Sequence, residues 1–120
     1  MPTFRKALVT DLTELLKFNI NQQELFYFYP SATFPLTLEL LEKQLSERHE
    51  STVMFDGDEL VGFANFYNVE NRNIAFIGNI IIKPERRREG LGKQLIQAML
   101  KTGFYHLNLR EVHLSCYSTN

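Results

Sequence analysis

The stretch from Asn79 to Ile96 constrains the fold of this chain more than any other. Three consecutive isoleucines, Ile80 to Ile82, are β-branched and apolar without alternation, which is typical of a strand covered on both faces. Pro84 lacks the amide hydrogen that a strand ladder needs and predicts the strand's end. From Leu91 onward, apolar residues recur at helical spacing, namely at Leu95, Ile96, Met99 and Leu100. The stretch therefore predicts a buried strand, a turn and a helix in direct succession.

Two glycines and three arginines occupy the junction between that strand and that helix. At Gly90 and Gly92 no side chain holds a ligand away from the backbone, and glycine tolerates dihedral angles that other residues avoid. The unpaired amides of the first helical turn and the positive end of the helix dipole lie beside the run Arg86 to Arg88. Together these groups predict a phosphate or pyrophosphate site. For the arginines alone, a solvated basic turn is the alternative.

The rest of the chain supplies strands and further helices. Asp11 followed by Glu14 predicts a capping box, Thr37 predicts a second helix start, and Asp56 with Gly57 predicts a tight turn. We predict strands over 4–9, 52–55, 60–67, 74–83 and 111–117, and helices over 11–21, 37–50 and 91–102. Because three central strands follow one another through short turns, the fold class is α/β (α+β), with a mixed, mostly antiparallel sheet and flanking helices.

Length and composition fit one domain over residues 1–120. A net charge of -1 argues against a protein built mainly to hold nucleic acid. No apolar run approaches the roughly 20 residues of a membrane span, so no membrane partner is expected. Cys116 is the only cysteine and cannot form a disulfide within the chain, which favours the reducing cytoplasm.

Two common glycine-rich phosphate motifs do not fit the loop. A nucleotide P-loop built on Gly92 and Lys93 would have Arg87 at its first glycine position and Gln94 where Ser or Thr is needed. A dinucleotide fingerprint starting at Gly90 would have Leu95 in place of its third glycine, and it needs a parallel βαβ unit. Both classes are excluded by spacing.

The run Arg87-Arg88-Glu89-Gly90-Leu91-Gly92 fits the Q/R-x-x-G-x-G/A pattern of the GNAT superfamily of acyl-CoA-dependent N-acyltransferases. With the hairpin over 56–63 and the strand over 80–85 before it, the chain resembles this family in element order from Thr3 to Asn120. The resemblance implies that acetyl-CoA is the cofactor and that its pyrophosphate and pantetheine arm are bound mainly by backbone groups. The residues so implied are Ile80, Ile82, Arg86, Arg87, Arg88, Glu89, Gly90, Leu91, Gly92 and Lys93.

The resemblance also directs attention to the strand before the loop for catalysis. Members of the family often carry a carboxylate base there, but the corresponding positions are Gly78 and Asn79, and neither accepts a proton at neutral pH. Glu70, or a water held by Asn79 and Asn65, is the substitute we consider, although a turn carboxylate is commonly just solvated. The family's arrangement implies that the backbone amide of Ile81 is the oxyanion donor.

An aromatic stretch offers candidate acceptor-binding residues. Tyr27, Tyr29 and Phe34 lie between prolines in a segment crowded with rings, and they either pack on the core or line a substrate pocket. No metal is expected, because Glu111 and His113 share a strand face without a second cluster of ligands.

Family members continue with a helix and strands beyond the last predicted strand, and that helix commonly carries a tyrosine proton donor. We therefore expect a C-terminally truncated or divergent member, whose exposed last strand pairs with a second copy as a homodimer. The resemblance implies acetyl transfer from acetyl-CoA to a primary amine of a small molecule or a protein. The alternatives are a catalytically silent acyl-CoA-binding or interaction module, and a site for an unrelated phosphorylated ligand.

Overall fold

A computed structural model describes residues 2–18, 35–70 and 73–114 and contains one five-stranded sheet. The strands lie side by side in chain order, and the first four pair antiparallel, whereas the last joins its neighbour in parallel. They are β1 (Pro2–Lys6), β2 (His49–Asp56), β3 (Glu59–Glu70), β4 (Ile74–Ile82) and β5 (Glu111–Leu114). The predicted mixed, mostly antiparallel sheet is confirmed.

Helices cover both faces of this sheet. They are α1 (Asp11–Leu16), α2 (Leu38–Glu47) and α3 (Leu91–Lys101), and α3 continues into a π-helical segment, Thr102–His106. Thr37 caps α2 as predicted, because its hydroxyl accepts the amide hydrogen of Leu40 at 3.3 Å.

The predicted capping box of α1 is wrong. Thr10 is the N-cap and makes no side-chain cap bond, and Asp11 is already helical. The Asp11 carboxylate instead accepts the amide of Leu8 at 2.7 Å and two bonds of 2.8 Å from Arg5. A charged partner from β1 therefore competes successfully for the oxygens that a capping box would use. Of the predicted helix over 11–21, α1 ends at Leu16, and residues 19–21 lie outside the described residues.

Two strand predictions were misplaced because hydrogen bonding extends beyond the apolar residues. β1 lies earlier than predicted, with Pro2 opposite Asp56 and Lys6 opposite Thr52, and the chain then leaves the sheet at the exposed Leu8. β2 begins at His49, three residues before the predicted start. The last strand is described only to Leu114, so its predicted residues 115–117 lie outside the described part.

Apolar side chains form two cores, one on each face of the sheet. The first includes Leu12 of α1, Leu41 of α2, and Phe63 and Ile81 of the central strands. The second includes Phe66, Ile77, Leu95 and Met99, and therefore joins the sheet to α3. Ile81 belongs to the first core while Ile80 and Ile82 pack against the second, so the predicted burial of this strand on both faces is confirmed.

Candidate functional site

The loop between β4 and α3 has an unusual backbone. After a 3-10 turn at Pro84–Arg86, Arg88 has φ of 68° and Gly90 has φ of 80°, both in the left-handed region. Gly90 is the N-cap of α3 and has no side chain that could accept hydrogen bonds from the first-turn amides. Left-handed residues interspersed in a turn direct amides into a concavity that suits an anion. The sequence prediction of a glycine-dependent helix start agrees with this geometry.

Arg86 ties this loop to the turn between β2 and β3. Its guanidinium donates to Glu59 Oε1 at 2.6 Å, to Asp56 Oδ2, and to Glu89 through Nε at 3.1 Å. Three carboxylates thus surround Arg86, and a phosphate would have to compete with all of them. Arg86 therefore anchors the loop to the hairpin, and its predicted phosphate contact stays a prediction.

These ion pairs shift the ionisation of the groups involved. The hydrogen bond from Arg86 lowers the pKa of Asp56, and the hydrogen bond from Lys83, 2.9 Å long, lowers the pKa of Glu59. The same bond to Glu59 raises the pKa of Lys83, while Glu89 and then Asp56 raise the pKa of Arg86. All these groups are therefore charged near neutral pH, and the anchor is intact there.

The remaining predicted cofactor residues lie around the same turn. Arg87, Arg88, Glu89 and Lys93 are exposed, and Arg87 Nε donates to the carbonyl of Ile82 at 3.2 Å. Leu91 buries its side chain in the second core, so it can offer only its amide. A Cβ added at Gly92 would meet Ile82 Cγ1 at 3.7 Å, an ordinary contact distance. The helix start is therefore seated directly on the end of β4.

β4 contains a bulge at Asn79 and Ile80, shortly before its last residue, Ile82. Phe63 pairs with Ile81 and Asn65 pairs with Gly78, so two residues of β4, Asn79 and Ile80, lie opposite the single Ala64. Asn79 has φ of 47°, the left-handed conformation of a G1-type bulge, in which glycine is usual. The bulge lies where the predicted acyl-transfer residues are found.

The direction of the β4 amides follows from its register. Lys83 donates its amide hydrogen to Val61 of β3 at 2.8 Å, and amides two residues apart in a strand point the same way. The amide of Ile81 therefore faces β3, and those of Ile80 and Ile82 face the other side, which we call the open edge of β4. Within the described residues, pairing with β5 ends at Ile77 and Leu114, before this edge begins.

The register bears on the predicted oxyanion donor. The amide of Ile81 is directed at its partner strand, whereas that of Ile80 points to the open edge directly beside the bulge. The predicted role of Ile81 stays a prediction, and the amide of Ile80 is a second candidate donor. The predicted main-chain roles of Ile80 and Ile82 are compatible with the open edge.

A buried polar chain lies against the bulge. Asn65 Nδ2 donates to Asn79 Oδ1 at 2.9 Å, and Arg48 Nη1 approaches Asn65 Oδ1 at 3.4 Å. The Arg48 guanidinium also covers the ring of Tyr67, 4.6 Å from its centroid. The predicted pairing of Asn79 with Asn65 is thus present, whereas Arg48 and Tyr67 were not predicted, because no local pattern shows that they meet.

The same side chains occupy the space beside Gly78. A Cβ at Gly78 would lie 2.7 Å from the Tyr67 ring and 2.8 Å from Arg48 Nη1. Tyr67 and Arg48 therefore fill the space that a side chain at Gly78 would need.

Glu70 does not fit the role of a base at the bulge. It ends β3 opposite Ile74, five residues beyond Asn65, which corresponds to about 16 Å along an extended strand. Its side chain lies outside the described part of the structure, as do the three predicted acceptor-binding residues, Tyr27, Tyr29 and Phe34. Those three assignments stay predictions.

Metal-binding groups and membrane-spanning helices are both absent from residues 2–18, 35–70 and 73–114. No three His, Cys, Asp or Glu side chains come together there in a metal-binding group. None of the helices in these ranges is long and apolar enough to cross a membrane. Glu111 and His113 do share a face, with 3.7 Å between His113 Nε2 and Glu111 Oε1, and the imidazole stacks on Phe76.

The loop, the helix start and the open edge of β4 are contiguous in the structure. Residues 15–120, most of the chain, match the model of a family described as the acetyltransferase (GNAT) family. The chain therefore belongs to the acetyltransferase (GNAT) family, and the resemblance seen in its sequence is confirmed. Membership supports an acyltransferase activity.

Solved structures of acetyltransferases share this fold. A GNAT-family acetyltransferase from Bacillus anthracis aligns with a TM-score of 0.76 and 21% identity, covering 99% of this chain and 72% of that one. A spermidine N-acetyltransferase chimera that includes the Vibrio cholerae protein aligns at 0.73 and 24%, covering 94% and 69%. A Mycobacterium tuberculosis protein in complex with CoA aligns at 0.70 and 16%, covering 98% and 66%. At these identities the alignments show the fold alone.

Proposed function

We propose that this protein is an N-acetyltransferase that transfers the acetyl group of acetyl-CoA to a primary amine of a small molecule or a protein. The observation that carries the proposal is the continuity of the open edge of β4 with the loop at Arg87 to Gly92. An extended arm bonded along Ile80 and Ile82 would reach the α3 amides at its phosphate end.

The residues present fit such a ligand. Gly90 has no heavy atom within 4 Å of its missing Cβ, and Arg88 and Lys93 are exposed beside the helix start, so the amides of Leu91 and Gly92 are approachable. Bound acetyl-CoA would supply a reactive thioester carbonyl. The amide of Ile80 would then donate a hydrogen bond to the carbonyl oxygen, where negative charge develops as an amine attacks.

The site favours an amine that arrives already deprotonated or loses its proton to water. Gly78 provides no carboxylate, and Asn79 and Asn65 have amide side chains that do not ionise. Because Arg48 and Asn79 already occupy both ends of the buried Asn65 amide, water at the open edge is the route by which a proton would leave. The activity is therefore expected to rise with pH as the acceptor amine itself deprotonates.

A silent acyl-CoA-binding module is the second candidate, and the filled space at Gly78 favours it. A thermal unfolding series with acetyl-CoA separates binding from no binding. Ligand at a hundred times its dissociation constant should stabilise the fold by about 2.7 kcal/mol. No shift up to millimolar acetyl-CoA would contradict both candidates and leave the unrelated phosphorylated ligand.

Thiol release then separates an enzyme from a silent binder. The protein and acetyl-CoA are incubated with amino acids, polyamines, aminoglycosides and amino-terminal peptides, and free CoA thiol is measured. Spermidine belongs in the panel because it is named for the Vibrio cholerae relative. Acceptor-dependent release supports the enzyme, whereas binding without release from any acceptor supports the silent module.

The proposal includes a cytoplasmic location, where acetyl-CoA is available, and a homodimer that pairs through β5. In support of the dimer, β5 is the last strand of the sheet order and is largely exposed. Sedimentation at tens of micromolar tests it, and a single monomeric species would contradict it.

A further inference from the structure

The bulge in β4 is held by one fully buried side chain on the neighbouring strand. Asn65 has 0% exposure, and its Nδ2 donates to Oδ1 of Asn79, which is 5% exposed. Because Arg48 Nη1 approaches the other end of the Asn65 amide, the carbonyl oxygen faces Arg48 and the NH2 group faces Asn79. The amide of Asn65 is thereby given one orientation.

Asn79 adopts a backbone conformation that most residue types avoid. Its φ of 47° lies in the left-handed region, where glycine is unstrained and other residues need compensation. Asparagine tolerates this region best when its short side chain is hydrogen-bonded. The bond from Asn65 is such a compensation, and it comes from the neighbouring strand.

The bulge decides which way the following residues face. Before it, Ala75 and Ile77 pack in the second core, and after it the odd-numbered Ile81 packs in the first. A regular strand would keep all odd-numbered residues on one face. The single extra residue therefore turns β4 over, and it brings the amide of Ile80 to the open edge.

We propose that Asn65 is a positioning residue: its bond to Asn79 stabilises the left-handed bulge and thereby aims the Ile80 amide at the reacting carbonyl. This inference rests on the proposed acetyltransferase function for its catalytic consequence. The conformational part, that Asn65 acts through Asn79, stands on the geometry alone and is tested separately.

The test is a double-mutant cycle of Asn65→Leu and Asn79→Gly. Leucine removes the amide at similar volume, while glycine adopts the left-handed conformation without needing a bond. If Asn65 acts through Asn79, the double variant loses less stability to denaturant than the sum of the two single variants. If the losses of stability in the two single variants simply add up in the double variant, the proposal is overturned, whether or not the protein is catalytically active.

Turnover gives the second readout. Asn65→Leu should lower kcat by about tenfold to a hundredfold, because a small misplacement of the donor is enough, with the KM for acetyl-CoA little changed. Adding Asn79→Gly should restore most of the lost kcat. A double variant no more active than Asn65→Leu alone would overturn the proposal.

A control separates positioning from simple loss of stability. Met54 is fully buried in β2 and belongs to the second core, away from the polar chain. Met54→Ala should lower stability but keep kcat at temperatures where it is folded. An equal fall of kcat in Met54→Ala and Asn65→Leu, at equal folded fraction, would overturn the positioning role. A wild-type protein without cofactor binding would refute the proposed function, and the stability cycle would then decide this inference alone.

Discussion

Arg86 and Glu59 lie 27 residues apart in sequence, yet the guanidinium of one donates to the carboxylate of the other at 2.6 Å. This bond joins the loop before α3 to the turn between β2 and β3, and Asp56 and Glu89 complete the cluster. Arg86, which the sequence predicts as a phosphate ligand, therefore also ties the loop to the β2–β3 turn.

Arg86→Ala should weaken acetyl-CoA binding by loosening the loop, whereas Arg88→Ala should weaken it by removing an exposed positive charge. Because salt screens charge attraction, Arg88→Ala should reduce the salt dependence of binding, and Arg86→Ala should leave that dependence near the wild-type value. Calorimetric titration at several salt concentrations measures both. A clearly reduced salt dependence in Arg86→Ala would show that Arg86 contacts phosphate directly.

The carboxylates of the same cluster predict an acid-dependent loss of stability. The pKa values of Asp56 and Glu59 are lower in the folded protein than in the unfolded chain. The two carboxylates therefore stabilise the fold fully above their unfolded-state pKa values, at about pH 4. This contribution to stability is lost as the pH falls through their lower, folded-state pKa values. Urea unfolding between pH 3 and about pH 7 should show this decline. The Asp56→Asn, Glu59→Gln double variant should be less stable at neutral pH and decline less steeply, and an equally steep decline would contradict the assignment.

Gly90→Val should abolish stabilisation by acetyl-CoA. A β-branched residue resists the φ of 80° found there, at about 1 to 2 kcal/mol, and shifts the amides of the helix start. Gly57→Val is the comparison variant, since Gly57 also has a left-handed φ, 64°, and open space at its Cβ, but lies in the β2–β3 turn and reaches the loop only through Asp56 and Glu59. Thermal unfolding should show similar intrinsic losses for both, with a ligand-induced shift that is reduced but retained in Gly57→Val and absent in Gly90→Val. A full shift in Gly90→Val would mean that the loop is wrongly assigned.

Gly78→Ala should destabilise the protein by about 1 to 3 kcal/mol, because the added methyl group meets Tyr67 and Arg48 below 3 Å. Adding Tyr67→Leu should relieve part of that loss. Chemical denaturation of the two single variants and the double variant measures the coupling. Independent, additive effects would show that the Tyr67 ring is not what excludes a side chain at position 78.

Local patterns in the sequence predicted the strand, loop and helix around the site better than the contacts that these elements make with distant residues. The isoleucine run and Gly90 act through their own backbone and burial, so the strand, the left-handed N-cap and the helix were readable. The bulge at Asn79 depends on the register of β4 against β3, and the anchoring of Arg86 depends on a hairpin brought near by folding. The capping box failed for the same reason, since Arg5 reaches Asp11 from β1. Residue spacing along the chain does not predict contacts between residues that are distant in sequence.

The most direct test of the account is an acetyl-CoA titration followed by amide resonances of the isotopically labelled protein. We expect the resonances of Ile80, Ile82 and residues 88–93 to shift together and saturate, whereas those of Thr3 to Arg5 in β1 stay unchanged. Absence of shifts at Ile80, Ile82 and the loop up to millimolar acetyl-CoA, or saturable shifts confined to another part of the sheet, would contradict it.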